Sequence, residues 1–345
     1  MTASPALPRT SREVQLTAVP GGLPRPEHLR VVEQPLPRPR EGEVLVRNTH
    51  FQVFPALRTL IGGGVEGAPV PGLRPGDALF GPAVGEVVER PGDAGPPVGA
   101  PVSHFLGWRE YAVVPAAKCA LLDDGALPDR TAHFSQGSLA YAALTRFAEL
   151  QPGETVFVSG GAGGIGSMAG QIARLLGAGR VIGSTGSAAK AERMTDGLGY
   201  DAVVLRAPED SFSDRLAEAA PEGIDVFVDM VGGEQLRAAV RAARPGARFA
   251  LVGTLAGQLS GDGGGATAPV ELDTFQLVLK RITLRGITGQ DHQEVHAEWI
   301  RTFGGWLRSG EITFPQVRIA GMDKAPGALH ALMDGEHLGT VVVEV

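Results

Sequence analysis

Thr155-Val156-Phe157-Val158-Ser159-Gly160-Gly161-Ala162-Gly163-Gly164-Ile165-Gly166-Ser167-Met168 is the stretch on which the reading of this chain turns. A short apolar run ends in glycines, and beyond them Met168, Ile172, Leu175 and Leu176 recur at helical spacing. The order is strand, glycine loop, helix. Gly161, Gly163 and Gly166 fit G-x-G-x-x-G, whose glycines allow a tight turn, close backbone approach to a pyrophosphate, and close helix–strand packing. The helix N-terminus adds unpaired N–H groups and the positive end of its dipole.

Working outward, Arg180–Thr185 reads as the next strand, followed by a helix at Ala188–Leu198, a strand at Ala202–Leu205 and a helix near Asp214–Ala219. Further strands are expected at Ile224–Val228, Phe249–Val252 and Ile282–Leu284, with a helix at Gln235–Ala243. Strands alternating with helices predict an α/β fold with a doubly wound parallel sheet.

The end of the second strand carries information about the nucleotide. An Asp or Glu there would hold a ribose 2′-OH, but no acidic residue occurs from Ser167 through Ala191. The strand runs instead into Gly186-Ser187, with Lys190 three residues on. Ser187 is a natural N-cap, which places Lys190 in the first helical turn, where its charge opposes the dipole. A 2′-phosphate would account for that placement, and lysine is scarce, occurring only at positions 118, 190, 280 and 324. The sequence therefore points to NADP(H).

A length of 345 residues suggests about two domains. The net charge of −7 and the lack of basic clusters disfavour nucleic acid and anionic membranes as partners. No apolar run approaches the ~20 residues that span a bilayer, and Met1–Arg12 has no signal-peptide core, so a soluble cytoplasmic protein is expected. With Cys119 as the single cysteine, an internal disulfide and a cysteine-based zinc site are excluded.

The N-terminal portion has another texture. Glu43–Arg47, Gly85–Glu89 and Tyr111–Val114 read as short strands between turn-rich stretches such as Pro71–Asp77 and Pro91–Pro101. Gly339–Val345 is strand-like too and could return to that portion.

In its order of motifs the chain resembles the medium-chain dehydrogenase/reductase superfamily, and within it the zinc-independent, NADPH-dependent alkenal/one oxidoreductases. The resemblance runs through Gly137-Ser138-Leu139-Ala140-Tyr141, Gly153-Glu154-Thr155-Val156, the glycine loop, Gly186-Ser187 with Lys190, Asp229-Met230-Val231-Gly232-Gly233, Val252-Gly253, and Gly335-Glu336-His337-Leu338-Gly339. It implies a β-rich, GroES-like substrate domain over residues 1–127, a Rossmann domain over 128–308, and a return to the first domain over 309–345. It also implies a homodimer paired through Ile282–Ile287.

The same resemblance implies pyrophosphate contacts at Gly163, Gly164 and Ile165, and 2′-phosphate contacts at Ser187 and Lys190. Arg206 takes the place of a residue near the adenine, Val252, Gly253 and Thr254 run beside the nicotinamide ribose, and His337 stands where relatives have an asparagine. The family's D-P-Y-M-R-like motif is Phe54-Pro55-Ala56-Leu57-Arg58 here, and a second family tyrosine aligns with Gln290. Phe54, Ala56, Arg58, Gln290 and His292 are therefore the expected substrate-lining residues, in a pocket enlarged by alanine at position 56. The zinc-ligand set of other superfamily members is missing, and His292/His296 beside Asp291 reads as a solvated helix face.

The implied chemistry is hydride transfer to the β-carbon of an α,β-unsaturated carbonyl, with donors placed for the developing enolate oxygen. No acid/base pair and no G-x-S-x-G elbow is visible; Tyr141 reads as core and Tyr111 as a strand residue, and His50, His104 and His133 read as structural or surface residues. A quinone oxidoreductase, or a non-redox NADPH-binding protein, would carry the same cofactor motifs.

Overall fold

A computed structural model describes residues 7–65, 70–206, 211–261, 265–288 and 293–345. The first portion contains β1 (Thr10–Leu16), β2 (Leu29–Pro35), β3 (Glu43–Val53), α1 (Leu57–Ile61), β4 (Ala83–Glu89), β5 (Pro101–His104), β6 (Tyr111–Pro115) and β7 (Ala120–Leu121). There follow α2 (Gly137–Ala142), β8 (Thr155–Val158), α3 (Gly166–Leu175), β9 (Arg180–Thr185), α4 (Ala188–Gly197), β10 (Ala202–Leu205), α5 (Phe212–Ala219), β11 (Ile224–Asp229), α6 (Gly233–Ala242) and β12 (Ala243–Leu251). The rest of the chain forms α7 (Leu255–Gln258), α8 (Thr274–Lys280), β13 (Thr283–Gly286), α9 (Gln293–Ser309), β14 (Gln316–Ala320), α10 (Ala325–Met333) and β15 (Thr340–Glu344).

Six parallel strands form one sheet in the order β10-β9-β8-β11-β12-β13, which reverses direction between β8 and β11. All four residues of β8 are buried, as a central strand covered on both faces requires. Phe157, Phe227 and Phe249 pair across three adjacent strands. Phe157 and Phe227 stack at 4.8 Å, and Phe227 meets Phe249 edge-on at 5.2 Å. This aromatic ladder fixes the strand register, because a one-residue slip would turn every ring to the opposite face.

The second sheet runs β14-β15-β3-β4-β5-β7, with β6 also on β3, and β1 and β2 form a separate antiparallel ribbon. Segments far apart in sequence therefore meet in this sheet: β15 pairs antiparallel with β3, with Val343 opposite Phe51. The molecule is thus a two-domain α/β protein.

Two differences from the sequence reading have local causes. The fifth strand of the parallel sheet starts at Ala243, not near Phe249, because pairing jumps from Ile224↔Ala243 to Val226↔Arg248 and leaves Arg244-Pro245-Gly246-Ala247 outside the ladder. The ribbon of β1 and β2 has no local signature in the sequence, since its register, Val14↔Val31 among others, joins segments separated by a turn of prolines and glycines.

Candidate functional site

The glycine loop is held from below by side chains at the reversal of the sheet. Ser159 Oγ donates to Asp229 Oδ1 at 2.6 Å and accepts from the Met230 N–H at 2.8 Å. Asp229 also accepts from the N–H groups of Val231 and Gly232, each at 2.9 Å. Burial raises its carboxyl above the usual range, while those N–H donors and Ser159 pull it back. On the other side, the Gly160 N–H donates to Ser184 Oγ at 3.0 Å and the Gly161 N–H to the Ser184 carbonyl at 2.8 Å.

The glycines have separate duties. A Cβ on Gly166 would lie 2.4 Å from the Gly160 carbonyl oxygen, so this residue sets the close approach of α3 to the loop. One on Gly161 would meet Met194 Cε at 2.5 Å and the Tyr200 hydroxyl at 3.0 Å. Gly163 is different: its nearest neighbour would be 3.4 Å away, an ordinary contact, so what it leaves open is outer surface. Beside it the N–H groups of Gly164 and Ile165 make no hydrogen bond among the described residues. Unfilled donors at the start of a ten-residue helix are what an anion needs.

At the end of β9, Ser187 caps α4 by accepting from the Lys190 N–H at 3.4 Å. Lys190 Nζ turns back and donates to the carbonyls of Gly335 and, at 2.7 Å, His337. The Arg206 guanidinium lies over Gly186, its Nη2 3.0 Å from where a Cβ would stand. Burial, followed by the charges of Arg193 and Arg206, lowers the Lys190 pKa, and Glu336 opposes them. Neither Arg193 nor Arg206 has a carboxylate partner among the described residues. Three cations so placed form a positive pocket suited to a phosphate.

Val252 and Gly253 both donate to the Asp229 carbonyl, at 2.7 and 3.1 Å, which lays the Val252–Thr254 turn over the C-terminal ends of β11 and β12. The return segment closes the site's far wall. Gly339 donates to the Ala162 carbonyl at 2.9 Å, and Gly163 and Gly339 form an isolated bridge. His337 Nε2 is buried there with no partner among the described residues, and burial lowers the imidazole pKa, which favours the neutral ring.

The first domain meets this face through α1 and the chain after α7. Thr59 Oγ1 donates to the Gly265 carbonyl at 3.1 Å, and Leu259 packs into the cluster holding Leu57 and Ile61. Of the expected lining residues, Phe54 is half-buried, Ala56 exposed and Arg58 completely buried, and burial lowers the Arg58 pKa. Gln290 and His292 lie outside the described residues. Phe54 belongs to an aromatic group that the sequence does not predict: the Phe105 ring lies 6.2 Å from Phe54 and 6.0 Å from Phe80, and Phe105 is 50% exposed.

Other candidates are accounted for elsewhere. The Tyr141 hydroxyl donates to Glu298 at 2.6 Å while its ring packs on Trp299, so it serves the core. Burial pushes the Cys119 thiol up to about 11, which leaves it protonated and inert. Among the described residues no three His, Cys, Asp or Glu side chains gather as a metal would require, and no helix is long and apolar enough to cross a membrane.

A dinucleotide-type parallel sheet joined to a β-rich domain, with a glycine loop where the strand order reverses, defines the dehydrogenase/reductase class of two-domain proteins. Comparison with known proteins agrees. The family described as zinc-binding dehydrogenase matches residues 164–303, and that described as the N-terminal domain of oxidoreductase matches residues 12–122. The chain is 30% identical to prostaglandin reductase 1 of Bos taurus over 325 residues, 92% of this chain and 93% of that one. It is 29% identical to the NADPH-dependent curcumin reductase of Escherichia coli, covering 97% of each. The crystal structure of CurA in complex with NADPH from Vibrio vulnificus superposes with a TM-score of 0.86 at 26% identity, covering 97% of this chain and 99% of that one. The chain belongs to the medium-chain dehydrogenase/reductase family, in the group of the alkenal/one oxidoreductases.

Proposed function

We propose that this protein is an NADPH-dependent oxidoreductase that reduces the C=C bond of an α,β-unsaturated carbonyl compound in the cleft between its two domains. The observation that carries this reading is the pairing of two open N–H groups, on Gly164 and Ile165, with the positive pocket of Lys190, Arg193 and Arg206. The first suits a pyrophosphate and the second a 2′-phosphate, and no acid stands at the end of β9 to favour a free 2′-OH. The orphaned Nε2 of neutral His337 is a further polar atom that such a ligand would satisfy. These residues fit NADPH, on which the curcumin reductase depends and with which CurA is found in complex.

When bound, the nicotinamide supplies the hydride. The protein's part is to hold and to exclude. Gly161, Gly163 and Gly166 shape the loop; Ser187, Lys190 and Arg206 select the phosphorylated ribose; Val252, Gly253 and Thr254 run beside the nicotinamide half, and His337, tied to Lys190, touches the cofactor. On the acceptor side Phe54, Phe80 and Phe105 present aromatic surface, and Ala56 leaves space beside it. Water supplies the proton for the α-carbon, since no side chain in the described site is poised as an acid. A metal is not required in this scheme.

The aromatic wall also accepts a flat quinone, which is the second reading. Turnover of NADPH against a panel of enones, enals and quinones tests both: enone-dependent oxidation supports the first, and quinone-only oxidation the second. Tight NADPH binding with no turnover on any acceptor would leave a non-redox role.

We also propose that the protein is a homodimer. Among the described residues β13 pairs on one side only, with β12, and α8 beside it exposes Phe275, Val278 and Leu279 at 67%, 72% and 55%. An open strand edge next to three exposed apolar side chains suits self-pairing across a two-fold axis.

A further inference from the structure

The structure assigns a cofactor-holding role to Thr340, the first residue of β15, and we propose that its hydroxyl donates to the pyrophosphate bound at the glycine loop. The proposal rests on the dinucleotide reading of that loop and adds a residue from the opposite end of the chain. Thr340 is 2% exposed, and its Oγ1 is buried with no hydrogen-bond partner among the described residues. Its N–H donates to the Pro315 carbonyl at 2.9 Å, which leaves the hydroxyl as its unused donor.

Where that hydroxyl points is decided by its neighbours. A Cβ built on Gly164 would sit 3.2 Å from Thr340 Oγ1 and 3.4 Å from Gln136 Oε1. The hydroxyl therefore faces the loop at the residue whose own N–H is open. The strand start cannot drift away from this position, because Gly339 is bridged to Gly163 and donates to the Ala162 carbonyl. Gly339 is itself locked: its φ is 85°, and a Cβ there would lie 2.2 Å from the Pro315 carbonyl oxygen. Thr340 is thus presented to the N-terminus of α3 by a rigid crossover.

A buried hydroxyl without a partner is costly, and a valine would fill the same space without that cost. A threonine in a strand can usually turn its hydroxyl to a nearby carbonyl, and here it does not. The open N–H groups of Gly164 and Ile165 and the unpartnered Thr340 hydroxyl lie at the same turn of the loop, and donors so grouped suit the oxygens of a phosphate.

The test uses Thr340→Val and Thr340→Ser in the full chain, with NADPH affinity measured by calorimetry and the melting temperature measured without cofactor. Valine should weaken NADPH binding about tenfold, the loss of one hydrogen bond to a charged group, whereas serine should stay within about threefold of the wild type. The cofactor-free valine variant should melt at or above the wild-type temperature, because it removes an unpaired hydroxyl. Valine binding within about twofold of wild type, or a lowered cofactor-free melting temperature with unchanged affinity, would overturn the assignment. A wild-type protein that does not bind NADPH would instead overturn the reading of the loop itself.

Discussion

Lys190 Nζ donates to the His337 carbonyl at 2.7 Å, and so ties the helix after β9 to the segment that carries the chain back into its first domain. A phosphate arriving at this pocket would meet a lysine already oriented, with the Arg206 guanidinium over Gly186. Lys190→Glu should therefore weaken NADPH binding by about 30-fold or more and leave NADH affinity nearly unchanged. Titrating both nucleotides checks this. An unchanged preference for NADPH would remove Lys190 from the 2′-phosphate site.

The glycines of the loop should separate into two kinds on mutation. Gly166→Ala forces a methyl to within 2.4 Å of a backbone oxygen, and should cost about 1–3 kcal/mol of stability by overpacking. Gly163→Ala meets nothing closer than 3.4 Å, so the fold should keep its stability while NADPH affinity falls, the methyl standing on the open surface. Denaturant unfolding and nucleotide titration of the two variants should give opposite patterns. Equal stability for both would contradict the packing role of Gly166.

A pH dependence should come from His104. Its Nε2–H donates to Asn48 Oδ1 at 2.9 Å and its Nδ1 accepts from the Leu106 N–H at 3.0 Å, so the ring is neutral and fully used. Burial, with a smaller push from Arg109, lowers its pKa to about 4. The unfolded chain takes up a proton near the ordinary value of 6.5 while the folded chain does not. Stability should therefore fall as pH drops through this window and level off below it, by about 3 kcal/mol at most. His104→Gln should lack this component when urea midpoints are compared across the same range. Parallel pH curves for the two proteins would refute it.

The proposed dimer predicts that Val278→Asp together with Leu279→Asp yields a monomer that still binds NADPH. Light scattering on the eluting protein checks the mass. A wild type already monomeric at micromolar concentration would rule out the α8 and β13 surface as a stable interface.

How far the sequence reached depended on whether the information was local. Ala202–Leu205 is read from its run of apolar residues and appears as β10 with those bounds, and Ser187 is read as a cap and caps α4. The cofactor loop is legible because strand, glycines and helix are contiguous. Thr340, Ser159 and Asp229 escaped notice as a group because their meeting depends on the sheet's reversal and the C-terminal return, which no local pattern encodes. Tyr200 is similar: its hydroxyl donates to the Gly166 carbonyl at 2.6 Å and its ring fills the space left by Gly161, Gly170 and Gly183. Gly161 reads as part of the cofactor loop, yet together with Gly170 in α3 and Gly183 in β9 it also admits one aromatic ring. Phe80 and Phe105 were missed for the opposite reason, since each is an isolated aromatic in a turn-rich stretch and they meet only after β4 and β5 pair.

The central claim is hydride delivery from NADPH to a conjugated C=C bond. Its most direct test is to supply NADPH deuterated at the transferring position to metal-stripped protein with an aromatic enone, and to analyse the product by mass spectrometry and NMR. The account predicts a saturated ketone carrying one deuterium on the β-carbon, formed at the rate of NADPH consumption. An unlabelled product, an allylic alcohol with deuterium on the carbonyl carbon, or no product despite saturating NADPH binding would contradict it.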